Sequence, residues 1–248
     1  MAGRYLAALH LAALLLILGW PLAAQAQDFV ALSSQHFSGV TTSQTTTRAM
    51  MLTVTPDARA SFSAKAKALR GQDGTPTRFA YTSDAISAAK VETAIVARVS
   101  RANPEAGKAL AQQFARHDFA EVYRGIVGPY GLPHRNLAGS VTAYEVLAWL
   151  IANNRQEPPA GAVQAAFAQN AAAMAADPRF ATEALRRDMD EELMRLFVVM
   201  HAGWLSALNR EGPAALARYA DGVTEMWKTT YGQDLRQARL TVNGFSAR

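Results

Sequence analysis

The sequence predicts an all-α protein: about seven helices in an antiparallel bundle or orthogonal array, with a flexible N-terminal segment before them and a short extended tail after. Three observations carry that prediction. Helix-start signals recur at close intervals from Ser83 onward, as in Asn103-Pro104-Glu105, which supplies a cap, a proline at the first helical position and an acid in the first turn. The breaks between them are short and marked by Gly128-Pro129, Pro158-Pro159, Asp177-Pro178 and Gly212-Pro213. Finally, "NLAGSVTAYEVLAWLIANN" at 136–154 is apolar nearly all the way round, the pattern of a central buried helix.

Residues 1–26 predict a signal peptide. Arg4 gives a positive start, Leu6 to Leu18 is apolar apart from His10, and Ala24-Gln25-Ala26 forms a small-x-small cleavage pattern. The apolar run is short for a membrane span of roughly 20 residues. Cleavage is therefore expected after Ala26, with a periplasmic or secreted mature chain that does not span a membrane. Residues 27–82 then predict a Ser/Thr-rich lead segment, with "AMMLTVTP" as a short strand and "SFSAKAKALR" as one or two helical turns.

Residues 83–248 predict the helical domain. Ser83 is the expected cap of a first helix to about Ala102, with Ile86, Ala89, Thr93, Val96 and Ser100 progressing along one face. Further helices are expected to about Arg116, from Asp118 to Gly128, from Asn136 to Asn153, and from Pro158 to about Ala176. The longest should run from about Arg179 to Arg210, and the last from Pro213 to Tyr231. "ARLTV" in the tail predicts a lone extended piece. No repeat of helical-hairpin period argues for a solenoid.

Composition narrows the function. The chain of 248 residues has no cysteine, which excludes thiol catalysis, cysteine zinc sites, disulfides and an acylated-cysteine anchor. A net charge of +5 is spread among acids without a basic, aromatic-interleaved tract, so nucleic acid is not an expected partner. The expected partners are another envelope protein or a second copy of the chain. His36, His117, His134 and His201 are not at metal-ligand spacing, and no phosphate loop, dinucleotide fingerprint or nucleophile elbow occurs; no metal or cofactor is expected. Ser87-x-x-Lys90 lacks the companion motifs of penicillin-recognising enzymes. His117-Asp118 reads as a helix junction, and Asp188, Asp190, Glu191 and Glu192, following Arg186 and Arg187, read as same-helix ion pairs on a solvated face. Trp149, Trp204 and Trp227 are expected to fill a shared core.

The weak catalytic candidates are Glu145, His201 and Tyr144. Glu145 falls inside the apolar sector of its helix, between Val141 and Ala152, and His201 lies on the apolar face of the longest helix. A lone buried carboxylate is costly, so it must be paired, hydrogen-bonded or neutral. A meeting of Glu145 and His201 would make an acid-base pair or a pH-responsive latch. Separate structural partners for each are the favoured reading.

"FAEVYRGIVGPYGLPHRNLAGSVTAYEVLAWLIAN", "AVQAAFAQNAAA" and "YGQDLRQARLTVNGF" together resemble a family of exported bacterial proteins known only as a domain of unknown function. The shared pattern is Tyr130-Gly131-Leu132, Asn136-Leu137-Ala138, Ala143-Tyr144 with Trp149, and Leu240-Thr241 with Gly244-Phe245, covering roughly residues 79 to 245. Gly139 and Ser140 depart from it, where Asp or Ala would be expected. The resemblance implies export and a helical fold, and assigns no activity. The sequence thus points to an exported protein acting through binding or envelope interaction, with an acid-base enzyme using Glu145 and Tyr144 or His201 as the alternative.

Overall fold

Seven α-helices and one β-hairpin make up residues 78–248, the part of the chain that the computed structural model describes. The predicted signal peptide, and the strand and helical turns expected before residue 78, lie outside the described residues. The helices are α1 (Ala85–Ala102), α2 (Pro104–Arg116), α3 (Phe119–Val127), α4 (Leu137–Ala152), α5 (Ala162–Ala175), α6 (Glu183–Ser206) and α7 (Pro213–Tyr231). No helix among the described residues is long and apolar enough to cross a membrane.

The starts follow local chemistry. Asn103 Oδ1 accepts from Ala106 N at 3.0 Å, Asp118 Oδ1 from Ala120 N at 2.9 Å, and Asn136 Oδ1 from Gly139 N at 3.2 Å. Each supplies an acceptor to a backbone donor that the first helical turn leaves open. His117-Asp118 is the α2–α3 junction, as expected. The first helix differs from expectation: Asp84, not Ser83, caps α1, accepting from Ser87 N at 2.7 Å. Its inward face also differs. Ser87, Ile95, Arg98 and Val99 are buried, whereas Ile86 is 83% exposed. Three expected boundaries move as well. α5 begins only after Gly161, and the longest helix is preceded by a separate 3₁₀ turn (Pro178–Ala181) and followed by a π turn (Ala207–Glu211).

α4 is the axis of the fold. Every one of its residues is buried, because α5, α6, α7 and the turn before the hairpin surround it. This is the outcome its all-round apolar sequence predicts. Its first turn is tight: a Cβ on Gly139 would sit 2.4 Å from Pro133 O, and neighbouring Ser140 is fully buried. A side chain at 139 therefore has no space. The three tryptophans do fill one core. Trp227 packs its ring 5.3 Å from Tyr144 and 4.6 Å from Tyr231, Trp204 lies beside His201, and Trp149 Nε1 donates to Ala238 O at 3.0 Å.

The tail is not a lone strand. β1 (Ala238–Thr241) pairs antiparallel with β2 (Gly244–Ala247), Leu240 opposite Phe245. Gln169 on α5 clamps β2 through both ends of its side-chain amide: Nε2 donates to Phe245 O, and Oε1 accepts from Phe245 N.

Residues 79–83 add an extended strap. Phe79 and Tyr81 turn inward while Ala80 and Thr82 face out, the two-residue period of an extended chain. Leu137 N donates to Phe79 O, Tyr81 N donates to Arg135 O, and Ala80 bridges Asn136.

α1 and α2 pack against each other, and a glycine lies at their closest contact. A Cβ on Gly107 would lie 1.9 Å from Ser100 Oγ and 2.8 Å from Ser100 Cα, so backbone as well as side chain would have to move. Gly107→Ala should lower stability by about 1–3 kcal/mol through overpacking, read as a lower denaturation midpoint. An unchanged midpoint would contradict this contact.

Candidate functional site

Glu145, 3% exposed, faces α5. Asn170 Nδ2 donates to its Oε2 at 3.1 Å and reaches Thr142 Oγ1 at 3.2 Å, while the Thr142 hydroxyl donates to Ala138 O at 2.7 Å. An amide from the next helix therefore partners the carboxylate. Tyr144, one residue earlier, packs instead against Trp227 of α7. Tyr231 donates a hydrogen bond to its hydroxyl, and burial raises the pKa of both phenols.

His201 is elsewhere again. Its ring stacks 5.9 Å from Phe197 and meets Trp204 edge-on at 6.1 Å, and its Nδ1 has no hydrogen-bond partner. Burial alone pulls its pKa down to about 4, which keeps the imidazole neutral. No hydrogen bond or ion pair joins any two of Glu145, Tyr144 and His201. The pairing expected as a possibility from the sequence is not formed.

The densest polar constellation lies instead on the first half of α6. Asp190, Glu191, Glu192 and Arg195 are all buried. The solvated reading of this acidic run holds only for Asp188, which lies near Arg187 and Lys90 at its exposed edge. Arg187 also pairs with Asp84 at 3.1 Å, and Arg186 spends its guanidinium on the carbonyls of Phe180, Ala181 and Ala80. Of the buried acids, Glu191 does form a same-helix ion pair, with Arg195, but inside the protein; the remaining partners come from other elements. Arg98 of α1 donates to Glu192 Oε1 at 2.8 Å. Arg195 donates to Glu191 Oε2 at 2.5 Å and to the Glu191 carbonyl, and its Nε and Nη2 both reach Glu92 Oε1 of α1.

The strap closes the cluster. The Tyr81 hydroxyl lies 2.6 Å from Asp190 Oδ2 and 3.2 Å from Glu191 Oε1, and Ser83 Oγ donates to Glu191 Oε1 at 2.7 Å. Thr82 N donates to Glu183. Burial pushes the Asp190 carboxyl up to about 6, against the lowering effect of hydrogen bonds from Tyr81 and Ser140. Burial, with the Asp190 charge beside it, also raises Tyr123 of α3 and Tyr81.

The sequence carried a signal for this cluster. Glu191 and Arg195 stand one helical turn apart at the start of an otherwise apolar run, which places the pair on a helix buried all round. Chemically, the site can hold and exchange a proton at Asp190. Among the described residues, no group of three or more histidines or acids is placed to hold a metal ion. No family model, curated protein or solved structure matches the chain.

Two outcomes follow. Glu145→Gln and His201→Leu should be additive, the double variant losing the sum of the single losses to within about 0.5 kcal/mol; a larger coupling energy in denaturant titrations would place the two in one network. For Asp190, the unfolded chain releases its proton near the model value of 3.8, whereas the folded protein keeps it to about 6. Stability is thereby lost as pH rises through that window. Asp190→Asn should therefore gain about 1–3 kcal/mol relative to the parent between pH 4 and pH 7. Parallel stability curves would refute a raised Asp190.

Proposed function

We propose that this is an exported protein that works by binding within or outside the bacterial envelope, with a rigid helical body and no catalytic role for its buried acids. The leader-like first 26 residues and the family resemblance support export. The observation that supports binding over catalysis is the sealing of Glu145, which is 3% exposed and partnered by Asn170. A general base must reach a substrate proton, and this carboxylate is enclosed by its own fold. Tyr144 and His201, the other members of the acid-base alternative, are enclosed as well. Either an envelope protein or a second copy of the chain is the partner, held through the outer surface of the bundle.

Native mass spectrometry on protein extracted gently from the producing cell's envelope tests this. The expected result is a reproducible added mass, either a protein partner or a multiple of the chain itself. A bare monomer across a range of concentrations, with no cross-link formed in the intact envelope, would overturn the proposal.

A further inference from the structure

The strap reaches two acids through one shared phenol, and the hydrogens there do not balance when both acids are charged. Tyr81 Oη lies 2.6 Å from Asp190 Oδ2 and 3.2 Å from Glu191 Oε1. A phenol carries one hydrogen, and an ionised carboxylate only accepts. With both acids ionised, Tyr81 donates to one of them and turns a lone pair toward the other. One added proton removes the conflict. A protonated Asp190 donates to Tyr81 Oη, and Tyr81 passes its own hydrogen to Glu191 Oε1. The added proton belongs on Asp190 for a geometric reason. Glu191 is already held by a cation, since Arg195 donates to its Oε2, and by the Ser83 hydroxyl on Oε1. Asp190 is 2% exposed, and among the described residues the ion pairs of this cluster all go to its neighbours.

We propose that the strap is a proton-operated latch, closed on α6 while Asp190 holds a proton and opening when Asp190 gives that proton up to solvent. The other groups facing the latch come from every element packed on it. On α6 they are Glu191 and Arg195; α1 brings Glu92 to Arg195 and Arg98 to Glu192; α4 brings Ser140 and α3 brings Tyr123. Burial outweighs the donors Tyr81 and Ser140 and the opposed charges of Glu191 and Arg195, so the closed strap keeps the proton to about 6. An opened strap admits water to Asp190 and returns it toward its ordinary 3.8. The closed state thus binds more protons than the open one, and opening grows easier as pH rises. The latch also has built-in reporters. Leu137 N, at the first position of α4, has no partner within its own helix and donates to Phe79 O, while Tyr81 N donates to Arg135 O. Both amides lose their partners when the strap lifts.

Backbone hydrogen exchange of the full chain, corrected for its intrinsic pH dependence, tests the latch alongside carboxyl-carbon NMR of Asp190. Protection of the Tyr81 and Leu137 amides should fall about tenfold between pH 5 and pH 7, as the two Asp190 values require. Amides in the middle of α4, such as Leu147, should lose far less over the same range. The fall should level off where the Asp190 carboxyl finishes titrating in the folded protein. In Asp190→Asn, whose amide donates without titrating, protection of Tyr81 and Leu137 should stay flat with pH. A flat profile in the wild type would overturn the latch. So would an equal loss at Leu147, which would mean that the whole body opens, or an unchanged slope in Asp190→Asn. Should that variant fail to fold, the wild type decides: a fall that levels off away from the Asp190 titration overturns the proposal, and one that coincides with it supports it.

Discussion

Four charged side chains of the longest helix lie inside the protein, and the arrangement around them follows from that constraint. Asp190, Glu191, Glu192 and Arg195 occupy successive turns of α6 in a position where solvent cannot reach them. Burying a charge without a partner is costly, so each one fixes where another element must sit. Arg98 and Glu92 fix the rotation of α1, and Tyr81 and Ser83 fix the strap. A slip of α1 by one residue would turn both of its charged partners away from α6. Buried pairs of this kind add little net stability compared with apolar packing, but breaking one is expensive. Their effect here is to select one packing of the bundle.

The same constraint is met in three different ways in one core. Glu145 is held by an amide from the next helix. His201 gives up its charge, since among aromatic rings nothing would stabilise an imidazolium. Asp190 does neither completely: with a carboxyl raised to about 6, it keeps access to both protonation states near neutral pH. These are separate solutions on separate faces of α4 and α6. That separation counts against a single acid-base centre, because a general base needs both an orienting partner and a path to substrate.

Much of the fold was legible because it is written in local signals. The Asn103-Pro104, Asp118 and Asn136 starts appear where the sequence puts them, since capping chemistry acts over three or four residues. The burial of α4 was legible from its composition alone. The hairpin was missed although Asn243-Gly244 follows an alternating run, a strong turn signal; Gly244 indeed takes a positive φ of 89°. The inward face of α1 was misread for a different reason. Its buried side includes Ser87, which is held by the capping Asp84, and Arg98, whose partner Glu192 lies on α6, and no periodicity of apolar residues can show that. The α6 acids were hidden in part in the same way: Glu191 pairs with Arg195 one turn on, but Glu192 is neutralised by Arg98 of α1 and Asp190 is held by Tyr81 of the strap.

The strap shows how far that long-range pairing extends. In "FAYTS" the inward residues Phe79, Tyr81 and Ser83 alternate with outward ones, so a single extended segment brings one apolar and two hydroxyl side chains to the same face. Phe79 anchors it in the core, and the hydroxyls reach carboxylates on α6. A five-residue strap with only one buried phenylalanine would gain little from packing by itself. Its hydroxyl bonds to Asp190 and Glu191 are charge-assisted and correspondingly strong. Those acids in turn need the donors that the strap provides. Neither side of the contact is satisfied without the other, so the strap and the buried half of α6 hold each other in place.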